Sequence, residues 1–252
     1  MLREPFITGN SLIHRLDPRL RLIFAMTYSF VVALSNRFPT LVAALVISLM
    51  LVSLARLNLR EVGKRLLIVN GVVFFFWLVL PLTFEGESLL TIGPFTVSRA
   101  GVLLAARITL KSNAILLAFI ALIATSSLTT LGHAMNRVRV PEKIVHLLLL
   151  TYRYVFVIEQ EYQRLSRAAK IRCFHPKTDM HTYRTYAYFI GMLFVRASAR
   201  AERVHQAMLC RGFKGKFYCL GEFSFRRADF LWSAFMAATI IGLEILEWIK
   251  IM

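Results

Sequence analysis

Five apolar runs set the first limit on this chain: Leu20 to Ser35, Thr40 to Leu57, Leu66 to Thr83, Ala100 to about Ala124, and Ala228 to Trp248. Each approaches the ~20 residues that an α-helix needs to cross a bilayer. Hydrocarbon offers no water to unpaired backbone groups, so segments of this kind satisfy their N–H and C=O groups internally, as helices do. The chain is 57% hydrophobic against the ~45–50% of soluble domains. The expected fold class is all-α, a polytopic membrane protein with about five transmembrane helices. Asp17-Pro18 makes a good start for the first helix, with a carboxylate to accept from first-turn amides and a proline where no N–H is needed. Arg3, Glu4 and Asp17 precede the first run and no small-residue cleavage pattern follows it, so that run is read as a retained span.

Charge orients the spans. Lys and Arg number 31 against 14 Asp and Glu, a net charge of +17. The N-terminal segment and the loop Arg56–Arg65 are basic, whereas Phe84–Ser98 carries Glu85 and Glu87 and no Lys or Arg. The positive-inside rule then places the N-terminus and the Arg56–Arg65 loop in the cytoplasm. Arg107 and Lys111 interrupt the fourth run, and they are expected to snorkel outward or to sit against other helices. Ile144–Ile158 and Ala187–Val195 are apolar but shorter than a bilayer requires. If they crossed, the basic Arg164–Arg184 would lie outside, against the charge rule. Leu128 to Phe213 is therefore expected as a cytoplasmic insert of long amphipathic helices before the last span, with apolar halves packed together or on the membrane surface. The expected layout is one domain over 1–252: N-terminal spans over 1–126, the cytoplasmic helices over 127–217, the last span over 228–252.

Within the insert a pattern occurs twice. Arg164 to Phe174 lies over Arg203 to Phe213 without a gap, with Arg, Ala, Arg and Phe coinciding. Each copy reads as the last turns of a helix, stopped by Pro176 in one case and Gly212 in the other. Arg172 and Arg211 thus fall at equivalent helix ends, flanked by Ile171 and Cys173 in the first and by Cys210 and Gly212 in the second. A guanidinium at a helix C-terminus is ordinary capping in isolation. Recurrence within one insert points instead to two similar plugs for a partner with two similar sockets, such as a dimer.

Other chemistry is lacking. The sequence has no G-x-x-x-x-G-K-[ST] loop, no H-E-x-x-H and no G-x-S-x-G, so the chain is not expected to hydrolyse ATP itself. The first three spans hold no Asp or Glu between their ends, which disfavours an ion-coupled carrier. Cys173, Cys210 and Cys219 form no C-x-x-C pair, and His14, His133, His175 and His181 lack ligand spacing, so no metal site and no cofactor are expected in this chain. Asn70-Gly71 is read as a mark of close helix packing, with a polar kink as the alternative, and Phe74 to Trp77 as lipid- or helix-facing bulk that could also seat another membrane protein.

The opening Ser11-Leu12-Ile13-His14-Arg15-Leu16-Asp17-Pro18-Arg19-Leu20-Arg21-Leu22, together with Ile171-Arg172-Cys173, Cys210-Arg211-Gly212 and Gly212-Phe213-Lys214-Gly215, resembles the transmembrane T component of energy-coupling factor transporters, in particular the CbiQ-type subunit of cobalt importers. That resemblance spans nearly the whole chain. It implies a non-catalytic scaffold in the plasma membrane of a prokaryote, coupling two cytoplasmic ABC-type ATPases (CbiO-like), which bind the ATP, to a membrane substrate-binding component (CbiM-like) and a small accessory subunit (CbiN-like). The cytoplasmic helices would be coupling helices whose Ala-Arg-Gly-like motifs enter grooves on the ATPases, and Arg172 and Arg211 match the arginine positions. The first motif departs from the pattern at Ile171 and Cys173, which replace small residues. Cobalt is the favoured cargo, with nickel or a vitamin as alternatives. A reading from another class is a basic membrane adaptor that binds anionic lipid or nucleic acid through its summed charge; the resemblance implies no nucleic acid.

Overall fold

The computed structural model describes residues 11, 13, 16–83, 88–92, 95–138, 140–215 and 227–248. Leu12, His14 and Arg15 of the opening motif, Glu85 and Glu87, and Cys219 lie outside them. The chain divides into two compact units, one of Leu2–Val138 with Glu222–Met252 and one of Arg139–Gly221.

The first unit contains α1 (Pro18–Leu34), α2 (Phe38–Leu54), α3 (Leu59–Thr83), α4 (Arg99–Leu122), α5 (Leu128–Arg137) and α8 (Arg227–Trp248). Helix α1 begins where the sequence puts it: the Asp17 carboxylate accepts from the Arg19 N–H at 2.9 Å, with Pro18 in the first turn. Three helices, at Leu59–Thr83, Arg99–Leu122 and Asp229–Trp248, are long and apolar enough to cross a membrane, and α2 is a shorter apolar helix. Their contacts are built on small residues. Ala25, Ala44, Ala105, Ala114, Ala118 and Ala121 are almost fully buried, which lets helix backbones approach where apolar lipid tails give no hydrophobic drive for association. Phe30, Leu67, Ile68, Phe74 and Phe75 remain exposed, as lipid-facing side chains do.

The two awkward cations of the fourth run sit against other helices. Lys111 Nζ donates to the Ala33 carbonyl at 2.8 Å and to Asn36 Oδ1 at 3.1 Å, closing the C-terminal end of α1. The Arg107 guanidinium lies 5.2 Å from the centroid of the Phe38 ring at the start of α2. From α8, Glu247 Oε1 accepts from the Asn36 N–H at 3.0 Å. The α1–α2 turn is thereby clamped by polar groups from two further helices. At the other end of α1, buried Arg21 donates to Thr125 Oγ1 at 3.3 Å, and the Asp17 N–H donates to Asp229 Oδ1 at 3.3 Å.

Three expectations need correction. Seven of the ten residues Arg56–Arg65 are helix: α3 starts at Leu59 because Asn58 caps it, its carbonyl accepting from Glu61 and Val62 and its side chain from Arg60. Phe84–Ser98 is more than a loop, since β1 (Ser88–Ile92) and β2 (Phe95–Ser98) pair antiparallel with Ile92 opposite Phe95. Gly71 marks no close approach, because a Cβ there would meet nothing within 4 Å. The close approach is at Gly101, where a Cβ would lie 2.5 Å from the Leu80 carbonyl oxygen and 2.8 Å from Pro81 Cα.

The second unit is a pair of long helices, α6 (Glu142–Ile171, 30 residues) and α7 (Met180–Cys210, 31 residues). Their apolar stretches are part of these helices and lie largely open: Leu147 and Ile190 are each 69% exposed and Phe194 76%.

Candidate functional site

The sequence repeat folds into the same shape twice. At the end of α6 the Phe174 N–H reaches the Ala169 carbonyl at 3.0 Å and the Cys173 N–H reaches Lys170 at 3.0 Å. At the end of α7 the Phe213 N–H reaches the Met208 carbonyl at 3.0 Å and the Gly212 N–H reaches Leu209 at 2.9 Å. Both are Schellman closures, in which a left-handed residue just past the helix turns the chain back onto its last carbonyls. Gly212 takes that position with φ 76° and Cys173 with φ 59°. The residue immediately before it, the C-cap, is an arginine each time: Arg172 at φ −84°, ψ 21° and Arg211 at φ −89°, ψ 11°.

Both arginines are exposed, as are Cys173, Cys210 and Gly212, and Ile171 is 83% exposed. Neither guanidinium has a hydrogen-bond or ion-pair partner among the described residues, while Arg164 is held by Glu161 and Arg167 by the Gln163 carbonyl. A planar cation at the negative end of a helix dipole, without a partner among the described residues, can pair with a carboxylate or with carbonyl oxygens. The ring after each arginine is half-buried: Phe174 and Phe213. Phe174 packs edge-on to Tyr186 and Phe189 and near His181 on α7, with centroids 6.0 to 6.3 Å apart. The α6–α7 connection is fixed further by the Lys177 N–H, which donates to Thr182 Oγ1 at 3.1 Å.

Sequence reasoning missed the residues that join the two helices. Glu161 Oε2 accepts from Arg196 Nη1 at 2.9 Å and its Oε1 accepts from Arg200 Nη2 at 3.2 Å, both on α7. Arg164 on α6 donates to the same Oε1 at 3.3 Å. Beside this cluster the helices flank a groove of about 480 Å³, lined by Leu150, Val157 and Ile158 on one side and Leu193, Val204 and Met208 on the other. The sequence carries no signal for this cluster, because the repeat does not extend back past Arg164 and Arg203.

Comparison with known proteins agrees in direction. The family described as CbiQ, Cobalt transport protein, matches residues 9–219. The chain is 26% identical to the energy-coupling factor transporter transmembrane protein EcfT of Bacillus subtilis (strain 168), over 98% of this chain and 95% of that protein. It is 29% identical to the EcfT of Leuconostoc gelidum subsp. gasicomitatum, over 83% of this chain and 82% of the relative. The cobalt transport protein CbiQ of Rhodobacter capsulatus is 31% identical over 55% of this chain and 59% of its own length.

Proposed function

This chain belongs to the CbiQ family of cobalt transport proteins, and from that premise we propose that it is the energy-coupling membrane subunit of an ATP-driven importer of cobalt ion. Arg172 and Arg211 enter two sockets on a pair of CbiO-like ATPases, which bind and hydrolyse the ATP; this chain performs no catalysis. The observation that carries the reading is the pair of identical helix closures, each presenting an unengaged guanidinium at the same backbone position. Closure of the ATPases on ATP would move one helix end relative to the other. The open apolar faces of α6 and α7 and the groove between them suit a CbiM-like substrate-binding subunit with its CbiN-like accessory, which the moving helices would tilt between outward and inward states. The N-terminus and both long helices lie on the cytoplasmic side in this reading, as the charge distribution demands.

Cobalt as cargo is supported by the description of the family and by the Rhodobacter capsulatus relative. The deciding experiment reconstitutes the full complex in vesicles and compares uptake of cobalt, nickel and vitamins. The double variant Arg172→Ala/Arg211→Ala is expected to insert normally, to lose the ATPases on purification and to abolish uptake. Arg167→Gln, which removes a cation from the same helix, leaves both intact. Normal co-purification and uptake in the double variant would sink the proposal.

A further inference from the structure

Carrying the register of the two helix ends backwards exposes a relation between the helices. The offset of 39 positions that lays Arg172 over Arg211 also lays Glu161 over Arg200. These equivalent residues are the ones that touch, at 3.2 Å, with Arg196 one turn earlier on the other carboxylate oxygen at 2.9 Å. Glu161 stands eleven positions ahead of Arg172, and Arg200 eleven positions ahead of Arg211. At 1.5 Å per residue each arm is about 16 Å long. This polar contact between the helices therefore lies equally far along each helix from its arginine-bearing end.

We propose that Glu161 is a positioning residue, the fulcrum that fixes how α6 crosses α7 and so sets the separation of Arg172 and Arg211. The proposal rests on the reading of those arginines as ATPase plugs. The apolar groove beside the crossing offers contacts without direction, which let helices slide. A carboxylate gripped by two guanidiniums of the facing helix is directional, and it resists sliding while still allowing rotation about the contact. The Glu161 side chain is only 12% exposed, so salt screens it less than a surface pair. Neutralising it leaves Arg164, Arg196 and Arg200 as three like charges around one point, which forces the helices apart.

The chain already carries the probes for a test. Cys173 and Cys210 are free, exposed and adjacent to the two arginines, and Cys219→Ser leaves them as the two sites for spin labels. In the full chain in lipid nanodiscs, without ATPases, pulsed dipolar spectroscopy should give one narrow distance distribution. Glu161→Gln should broaden it about twofold by releasing the directional contact. Glu161→Arg combined with Arg200→Glu should narrow it again, and Arg164→Gln, which removes only the same-helix pair, should leave it unchanged. With the ATPases and substrate-binding subunit restored, Glu161→Gln should keep ATPase capture while lowering cargo taken up per ATP. An unchanged distribution in folded Glu161→Gln, a distribution that stays broad in the charge swap, or wild-type cargo per ATP would each overturn the fulcrum. If Glu161→Gln does not fold, the charge swap decides. Because the spectroscopic arm involves no ATPase, failure of the plug reading shows separately, as ATPase capture that survives loss of Arg172 and Arg211.

Discussion

The ends of α6 and α7 share their closing hydrogen bonds and the placement of an arginine, yet they reach that shape from different residues. Gly212 enters the left-handed region without a Cβ, and space around it is open. Cys173 enters the same region with a side chain, at a cost of about 1–2 kcal/mol. The first end has compensating contacts: Phe174 is packed among α7 aromatics, and His175 Nδ1 lies 3.0 Å from the Cys173 carbonyl oxygen. The contrast separates what the two closures share from what differs between them. A guanidinium at the C-cap and a left-handed residue after it are common to both ends; a glycine is not.

The largest expected effect tests whether the two ends are equivalent in use. Arg172→Ala and Arg211→Ala, made singly, should each weaken ATPase association by about 2–5 kcal/mol, much of it from the partner group left unpaired. Titration of purified ATPase onto the nanodisc-embedded chain measures both, and comparable losses are expected. A loss confined to one arginine would break the equivalence. Next in size is Phe174→Ala, which removes the ring anchoring the first end to α7. Local stability of residues 172–182 should fall by about 2 kcal/mol, read as faster amide exchange there, with the second end unaffected.

Much of this was legible in the sequence, for reasons that are local. Asp17-Pro18 located a helix start because capping is decided within one turn, and the eleven-residue repeat located both helix ends because Schellman closure depends on few consecutive residues. For the cations inside the fourth run the sequence leaves two readings, snorkelling outward or sitting against other helices, and Lys111 and Arg107 take the second, meeting α1 and α2. What was not legible depends on partners far along the chain. Gly71 and Gly101 look alike in sequence, and only the packing of α3 on α4 makes the second one indispensable. Glu161 stands in a polar stretch with Glu159, Gln160 and Gln163 and nothing nearby to mark it, since its α7 partners lie 35 and 39 positions away. The strands at 88–92 and 95–98 lie in a stretch that reads as an acidic loop, although Leu-Thr-Ile and Phe-Thr-Val carry β propensity.

Smaller effects bear on the left-handed residue itself. Gly212→Ala gives the second end the same left-handed Cβ that Cys173 gives the first. A Cβ there meets no atom within 4 Å, so the cost is purely conformational, about 1–2 kcal/mol. The Gly212 and Phe213 amides should exchange faster, while Arg211 keeps its place in the sequence and ATPase affinity falls by no more than that amount.

The reverse change, Cys173→Gly, should gain less than Gly212→Ala loses. Relief of the left-handed Cβ is partly offset by the extra freedom that glycine brings to the unfolded chain, leaving about 0.5–1 kcal/mol in favour of the folded end. The gain should appear as slower exchange of the residue 173 and Phe174 amides, and the helix should still close on Ala169 and Lys170. Because the guanidinium and not the thiol makes the proposed contact, ATPase association should stay within measurement error of wild type. A clear change in association on Cys173→Gly would show that the two ends are unequal in docking as well as in sequence, and that the side chain at position 173 belongs to the contact.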